Sequence, residues 1–134
     1  MSYELFPLLK ENLDVGSYKV KIKIVNILQL FISHFSHEQI QMFIVPFNFM
    51  ENFIQCLNVC GKDNFKKITG IIARLLRLHW NFEPYDVFWI QFEADGGVEL
   101  FQDLAESDDE FLSERADTFL KTIYSLRPTQ ISDV

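Results

Sequence analysis

The chain has 134 residues, of which 49% are hydrophobic, and it carries a formal net charge of −7. This composition predicts one domain with a sizeable core and excludes a disordered chain, and the lack of an uncharged apolar run of about 18 residues excludes a membrane-spanning helix. Residues 83–134 carry three Lys and Arg against thirteen Asp and Glu, which argues against nucleic acid as a partner of this half and favours a basic or mixed partner.

Two helices are predicted at the start of the chain. Apolar residues at helical spacing indicate a first helix over Tyr3–Leu13, followed by a turn at Asp14–Ser17. Ser17 is the predicted cap of the next helix, which continues to Ile32. The early part of that helix, Lys19–Ile24, alternates as a strand does, but the continuation loses the alternation and the whole segment is too long for a strand.

A capping box and a proline divide the next stretch. Ser36, with Gln39 three residues later, predicts the start of a short helix. This helix should end near Val45, because Pro46 disfavours its continuation. The helix after it is predicted over Phe47–Val59.

The middle of the chain, residues 64–80, has the clearest amphipathic pattern. Its apolar residues recur every three or four positions, which predicts a helix with a wide buried stripe and an outer face of Lys and Arg. A turn at Cys60–Asp63 precedes it, and Asp63 or Asn64 is its predicted cap.

Three helices are predicted in the acidic half. The first spans Pro84–Ala94, and Asp95–Gly97 forms a sharp turn before a short helix over Val98–Ala105. The segment Ser107–Glu110 has the spacing of a second capping box, which should open a last long helix over Asp108–Leu126.

The three long helices recur at a constant interval. They begin near Ser17, Lys62 and Ser107, which are 45 residues apart each time. A period in the forties with two or three helices per unit is typical of armadillo and HEAT solenoids, because no such unit can bury its own helix faces. We therefore predict an all-α, armadillo-type right-handed α-solenoid of about three repeats, with a single irregular helical bundle as the alternative. The predicted units are a partial repeat at 1–35, repeats at 36–80 and 81–126, and a tail at 127–134.

Several groups of residues follow one another in the order and spacing of a known family. They are Glu38–Ile40 with Phe49–Ile54, then Leu75–Leu78, and last Phe92–Leu100 with Leu104, Glu106–Glu110 and Tyr124. Together they resemble the C-terminal armadillo repeats of importin alpha, the adaptor of nuclear protein import. The likeness spans residues 5–124.

The resemblance implies a non-enzymatic adaptor that binds proteins in nuclear import and recycling, and that is located in the cytoplasm and the nucleus. The cargo-binding helices of that family carry a Trp and, one turn later, an Asn, and the matching positions here are Asn26 and Leu30. Neither Trp80 nor Trp89 stands at a position that matches the family's Trp, so the standard localisation-signal groove is not expected. The implied partners are proteins: an extended basic peptide, a transport receptor, nucleoporins or the exporter that recycles the adaptor.

Candidate partner-binding residues lie on the predicted third helices and in the acidic last repeat. We expect Asn26 and Arg74 to line a concave face. Four acidic residues are expected to meet a basic partner, unless they are simply solvated helix positions: Glu106, Glu110, Glu114 and Asp117. A generic armadillo or HEAT scaffold that is unrelated to nuclear import is the alternative function.

No pattern in the chain indicates an enzyme, a cofactor site or a metal site. Cys56 and Cys60 are four residues apart and have no second pair, so reduced, buried thiols are the expectation. His34 and His37 have only Glu38 nearby as a further ligand. A hydrolase or metalloenzyme is the third hypothesis, which a stoichiometric metal in the purified protein would support.

The ends of such a stack raise a separate question. Three repeats leave apolar helix faces at their ends unless something covers them. Two alternatives stay open: the chain is a piece of a longer solenoid, or it forms a homodimer through its N-terminal end.

Overall fold

The computed structural model describes residues 4–78 and 87–126, and every regular element in these ranges is helical. The α-helices are α1 (Leu5–Val15), α2 (Tyr18–His34), α3 (His37–Phe43), α4 (Phe49–Leu57), α5 (Lys62–Arg77), α6 (Val87–Ala94), α7 (Gly97–Ala105) and α8 (Glu110–Leu126). A short 3-10 turn at Val45–Phe47 separates α3 from α4. The predicted all-α class is confirmed. Within the two ranges, no helix combines the length and the apolar character that crossing a membrane requires.

Two predicted helix starts are confirmed by their hydrogen bonds. The Ser17 hydroxyl accepts a hydrogen bond from the Val20 amide at 3.3 Å and so caps α2. Ser36 and Gln39 form the predicted capping box at the start of α3. The Gln39 amide donates to the Ser36 hydroxyl at 3.2 Å, and the Ser36 amide donates to the Gln39 side chain at 2.9 Å. These bonds satisfy amides that have no acceptor within their own helix.

Other predicted boundaries are wrong by a few residues. α1 continues through Asp14 and Val15, which the sequence pattern assigns to a turn. The cap predicted at Asp63 or Asn64 is also wrong, because α5 begins directly after Gly61, which provides no side-chain cap. Outside the described residues lie the predicted helix starts at Tyr3 and Pro84, Trp80, the repeat boundary between 80 and 81, and the tail at 127–134.

The cap of α8 is Asp109, so the capping box predicted for Ser107 and Glu110 is wrong. The Asp109 carboxylate accepts hydrogen bonds from the amides of Phe111 at 2.9 Å and Leu112 at 3.2 Å. The Ser107 hydroxyl instead accepts from the Asp109 amide at 3.1 Å, outside the helix. Glu110 is the first residue of α8, where a negative charge is favourable beside the helix dipole.

This cap gives a first prediction. Asp109→Ala is expected to lower the free energy of unfolding by about 1 kcal/mol, because two amides of α8 lose their acceptor. Ser107→Ala is the control and should cost less, since its hydroxyl serves an amide that precedes the helix. Urea denaturation followed by circular dichroism measures both variants, and equal losses would contradict the assignment of the cap.

Two groups of phenylalanines join the helices through the core. At the N-terminal end, Phe6 stacks on Phe43 with ring centroids 4.8 Å apart and lies 5.4 Å from Phe31, which ties together α1, α2 and α3. At the C-terminal end, Phe101 stacks on Phe119 at 4.2 Å and so ties α7 to α8. Aromatic pairs of this kind contribute about 0.5–1.5 kcal/mol beyond the area that they bury.

A partly buried polar network lies at the edge of the core between α1 and α4. Asn52 on α4 is only 1% exposed; it accepts from Lys10 Nζ at 2.6 Å and donates to Asp14 at 2.8 Å. Lys10 also donates to the backbone oxygen of Asn48, and the Asn48 side chain donates to Asp95 at 3.1 Å. A buried amide is costly unless it is paired, so the network fixes α1, α4 and the α6–α7 turn relative to one another.

The long helices α2, α5 and α8 lie side by side in chain order, with α2 against α5 and α5 against α8. Asn64 donates to the Tyr18 hydroxyl at 3.1 Å near the start of α5 and α2, and Arg74 donates to the Ile32 carbonyl near the end of both helices. α2 and α5 therefore run in the same direction. These contacting residues are 46 and 42 positions apart in the sequence.

Candidate functional site

A groove with a volume of about 720 Å³ runs between α5 and α8. α5 contributes small and polar residues to one side, and α8 contributes charged residues and threonines to the other. The lining residues are Lys66, Thr69, Gly70 and Ala73 from α5, and Glu114, Arg115, Asp117, Thr118, Phe119 and Thr122 from α8. Concave surfaces with a few polar groups are the usual sites of ligand binding.

The helical pattern of α5 separates the groove from the core. Phe65 and Ile68 are buried, and the residues that follow them, Lys66 and Thr69, line the groove. Phe65 also holds α8 in place, since its ring lies 6.3 Å from the ring of Phe111 in an edge-to-face arrangement. The groove is therefore fixed by a packed aromatic contact at the start of both helices.

Gly70 connects this groove with a second, smaller one. It lines both the α5–α8 groove and a groove of about 210 Å³ between α2 and α5. No atom lies within 4 Å of the position that a Gly70 side chain would take. A glycine inside a helix costs about 1 kcal/mol relative to alanine, and the packing of residues 4–78 and 87–126 gives no steric reason for that cost. The open backbone lets another chain approach α5 closely.

The charges that line the α5–α8 groove are of both signs. Arg115 lies over an aromatic ring at 5.3 Å, and Asp117 pairs with Lys121 at 2.9 Å. Lys66 and Glu114 are exposed and form no ion pair within residues 4–78 and 87–126. These two opposite charges are therefore available to a bound molecule.

The smaller groove contains Arg74, one of the two residues predicted to line a concave face. Its guanidinium donates to the carbonyls of Ile32 and Ser33, both at 3.4 Å. These carbonyls lie in the last turn of α2, so Arg74 stabilises the C-terminus of that helix. Asn26, the other predicted residue, is exposed on α2 and accepts from Lys67 Nζ at 2.5 Å, outside the lining of both grooves.

The four acidic residues singled out in the sequence do not share one surface. Glu114 and Asp117 line the α5–α8 groove, whereas Glu106 and Glu110 lie outside its lining, on either side of the turn between α7 and α8. Partner binding by any of the four stays a prediction. Sequence reasoning missed Gly70, although a glycine in the middle of an amphipathic helix is a signal that could have found it.

Cys56 and Cys60 are free thiols, of which the first is buried and the second half-buried. Burial raises the pKa of both thiols, and for Cys56 this effect outweighs the opposing charge of Lys21. A raised pKa keeps a thiol protonated at neutral pH, which makes it a weak nucleophile. In the part of the chain that the structure describes, no three His, Cys, Asp or Glu side chains converge as metal ligands would.

Comparison with known proteins adds no relative. The chain matches no protein-family model, no curated protein and no solved structure. The resemblance to importin alpha therefore stays a prediction, and the grooves on either side of α5 are the basis for a functional proposal.

Proposed function

We propose that this chain is a protein-binding adaptor module, built as an armadillo-type right-handed α-solenoid of about three repeats. Support for the solenoid comes from α2, α5 and α8, which make contact in chain order. The hydrogen bonds that join α2 to α5 connect residues 41–46 positions apart, near the interval of 45 between the predicted long helices. Equivalent helices of neighbouring repeats contact one another in this way in solenoids.

The α5–α8 groove is the proposed binding surface, and an extended segment of a partner protein is the proposed ligand. The observation that carries this proposal is Gly70, a helix glycine that leaves the backbone open where two grooves meet. Lys66 and Glu114 offer one charge of each sign. The hydroxyls of Thr69 and Thr122 donate to carbonyls of their own helices, so their oxygens can accept hydrogen bonds from the amides of a peptide backbone.

The proposed setting is nuclear protein import and the recycling of its adaptor, in the cytoplasm and the nucleus. Support comes from the resemblance of residues 5–124 to the C-terminal repeats of importin alpha and from the acidic surplus after residue 83. On this proposal the partners are an extended basic peptide, a transport receptor or the recycling exporter.

A generic armadillo or HEAT scaffold is the second candidate, and the charge of the groove favours it. The lining carries two basic side chains, Lys66 and Arg115, and two acidic ones, Glu114 and Asp117. A groove of balanced charge suits a partner segment of mixed charge rather than a purely basic localisation signal.

A glycine pair tests whether the groove binds the partner. Gly70→Gln is expected to weaken binding about tenfold or more, a loss of about 1.4 kcal/mol, because the new side chain occupies the groove. Gly61→Gln is the matched control, since its side chain also meets open space but lies before α5 and outside the groove. Fluorescence anisotropy with a labelled basic localisation peptide and with the purified exporter measures both variants. Equal weakening by the two variants would contradict the assignment of the groove.

Two charge-reversal variants help to separate the two candidate functions. Glu114→Lys should weaken the binding of a basic peptide more than Glu106→Lys does, because Glu114 lines the groove and Glu106 does not. If the wild-type chain binds neither the basic peptide nor the exporter, the import role is wrong and the generic scaffold is favoured.

A further inference from the structure

The N-terminal layer, formed by α1 and α2, exposes several large apolar side chains. Single exposed apolar residues are normal on a protein surface, but a cluster of them marks a contact site. The exposed fractions are 54% for Leu8, 77% for Val15, 38% for Val20, 41% for Ile27 and 62% for Leu30.

Helix geometry places these side chains away from the neighbouring layer. Gln29 lines the groove between α2 and α5, and at 100° per residue Val20 and Ile27 lie about 160–180° around the α2 axis from it. On α1, Lys10 reaches towards α4, and Leu8 lies about 160° around that axis from it. We call the exposed residues Val20, Lys23, Ile27 and Leu30 of α2 the N-terminal face.

The start of α2 is also positively charged in an unfavourable place. Lys19 lies in the first turn, which contains no acidic residue, and Lys23 follows about 40° further around the helix axis, so both exposed side chains border the N-terminal face. Positive side chains near a helix N-terminus are repelled by the helix dipole. An acidic surface placed against this face would offset that repulsion, so the charge identifies the kind of partner that the face suits.

A surface of this kind lies at the other end of the same chain. Thr122 lines the groove between α8 and α5, and Tyr124, which is 46% exposed, lies about 160° around the α8 axis from it. Leu120 is half-buried beside Tyr124. Asp117, which pairs with Lys121 and also lines the α5–α8 groove, is exposed one turn earlier. We call Asp117, Leu120 and Tyr124 the C-terminal face.

We propose that the N-terminal face binds the C-terminal face of a second copy of this chain, so that copies associate head to tail. We place α2 of one copy parallel to α8 of the next copy, as α2 lies parallel to α5 within one chain. The facing residues then differ by 93 or 94 in residue number, so the two faces stay in register along the helices. The paired side chains are Lys23 with Asp117, Ile27 with Leu120, and Leu30 with Tyr124. Asp117 also lines the α5–α8 groove, but the two apolar pairs lie outside its lining, so loss of this contact and loss of groove binding can be measured separately.

Charge also decides against pairing of two N-terminal faces. Such a dimer would bring Lys19 and Lys23 of both α2 helices together, whereas the head-to-tail contact places them against α8, where Glu110 and Asp117 are exposed on the side of Tyr124. A head-to-tail contact leaves one free face at each end, so it continues into longer assemblies instead of stopping at a dimer.

Sedimentation velocity over a range of concentrations tests the proposal. The wild-type chain is expected to grow beyond a dimer as its concentration rises. Leu30→Glu on one face and Tyr124→Glu on the other should each lower the association constant about tenfold or more, because each places a charge in an apolar contact. Val59→Glu is the control, since Val59 is 66% exposed in the turn between α4 and α5. Circular dichroism checks that all three variants keep the wild-type fold.

Mixing the two face variants distinguishes the head-to-tail contact from symmetric dimers. The Leu30→Glu chain keeps its C-terminal face and the Tyr124→Glu chain keeps its N-terminal face, so an equimolar mixture should form a one-to-one heterodimer that does not grow. The proposal is overturned if either variant alone dimerises as well as the wild type does. It is also overturned if the wild-type chain stays monomeric up to millimolar concentration.

Discussion

Replacing Phe101 by alanine is expected to lower the free energy of unfolding by about 3–5 kcal/mol. Phe101 is fully buried, stacks on Phe119 at 4.2 Å and lies 6.1 Å from Phe92 and 6.3 Å from Phe65. Removal of its ring leaves a cavity among α5, α6, α7 and α8 and takes away the contacts that join them. Because single domains are typically stable by about 5–15 kcal/mol, this loss is a large fraction of the total free energy of unfolding.

Urea denaturation followed by circular dichroism measures this loss. Ile90→Ala is the control, because Ile90 is 51% exposed and a surface change of this kind should stay within about 0.5 kcal/mol. A loss below about 1 kcal/mol for Phe101→Ala would show that this aromatic group is not part of a close-packed core.

Gly97→Ala is expected to destabilise the protein by about 1–3 kcal/mol, the reverse of the usual effect of alanine in a helix. A Cβ atom at Gly97 would lie within 2.6 Å of two atoms of the Phe92 ring, where it cannot fit. The ring cannot turn away freely, because Phe92 is fully buried and its ring centroid lies 6.2 Å from that of Trp89 and 6.3 Å from that of Phe119.

Gly70→Ala is the matched control for this prediction. Its Cβ atom meets nothing within 4 Å, so alanine should raise the free energy of unfolding by about 1 kcal/mol. Thermal and urea unfolding of the two variants should therefore move in opposite directions. A shift of the same sign would mean that the close contact of Gly97 with Phe92 is relieved at little cost.

The sequence predicted a helix cap correctly where only one nearby side chain could accept hydrogen bonds from the free amides. The capping box of Ser36 and Gln39 needs only atoms three residues apart, and both of its hydrogen bonds form. At the start of α8 the spacing of Ser107 and Glu110 suggested the same box, but Asp109 also lies within reach of the free amides. Spacing alone does not decide between two side chains that can both accept a hydrogen bond.

Long-range packing could not be predicted from the pattern of apolar residues. On α2, Ile24 and Leu28 are buried, whereas Ile27 and Leu30 are just as apolar and lie exposed. Their exposure depends on what lies beside the N-terminal layer, which no local pattern records. Asn52 is the opposite case, a polar residue that is buried. Its burial depends on Lys10 and Asp14 of α1, which lie 42 and 38 positions earlier in the chain.

The candidate site could be predicted only in part for the same reason. Glu114 and Asp117 were predicted as partner-binding residues and do line the groove, whereas Glu106 and Glu110 do not. All four belong to one acidic stretch, but Glu106 lies at the end of α7, and on α8 it is the rotation of the helix relative to α5 that separates Glu110 from the other two. That rotation is set by contacts such as the one between Phe65 and Phe111, residues 46 positions apart.

Contacts between neighbouring long helices join residues that lie a nearly constant number of positions apart in the sequence, and this affects how the chain folds. Contacts from α2 to α5 close segments of 41 to 46 residues, and the contact of Lys62 with Phe111 closes one of 49. The entropy lost on closing a loop depends only weakly on its length, so docking α8 costs nearly the same as docking α5. Folding can therefore advance from the N-terminus while the chain is still being synthesised, because each new long helix can pack against the long helix that has folded before it.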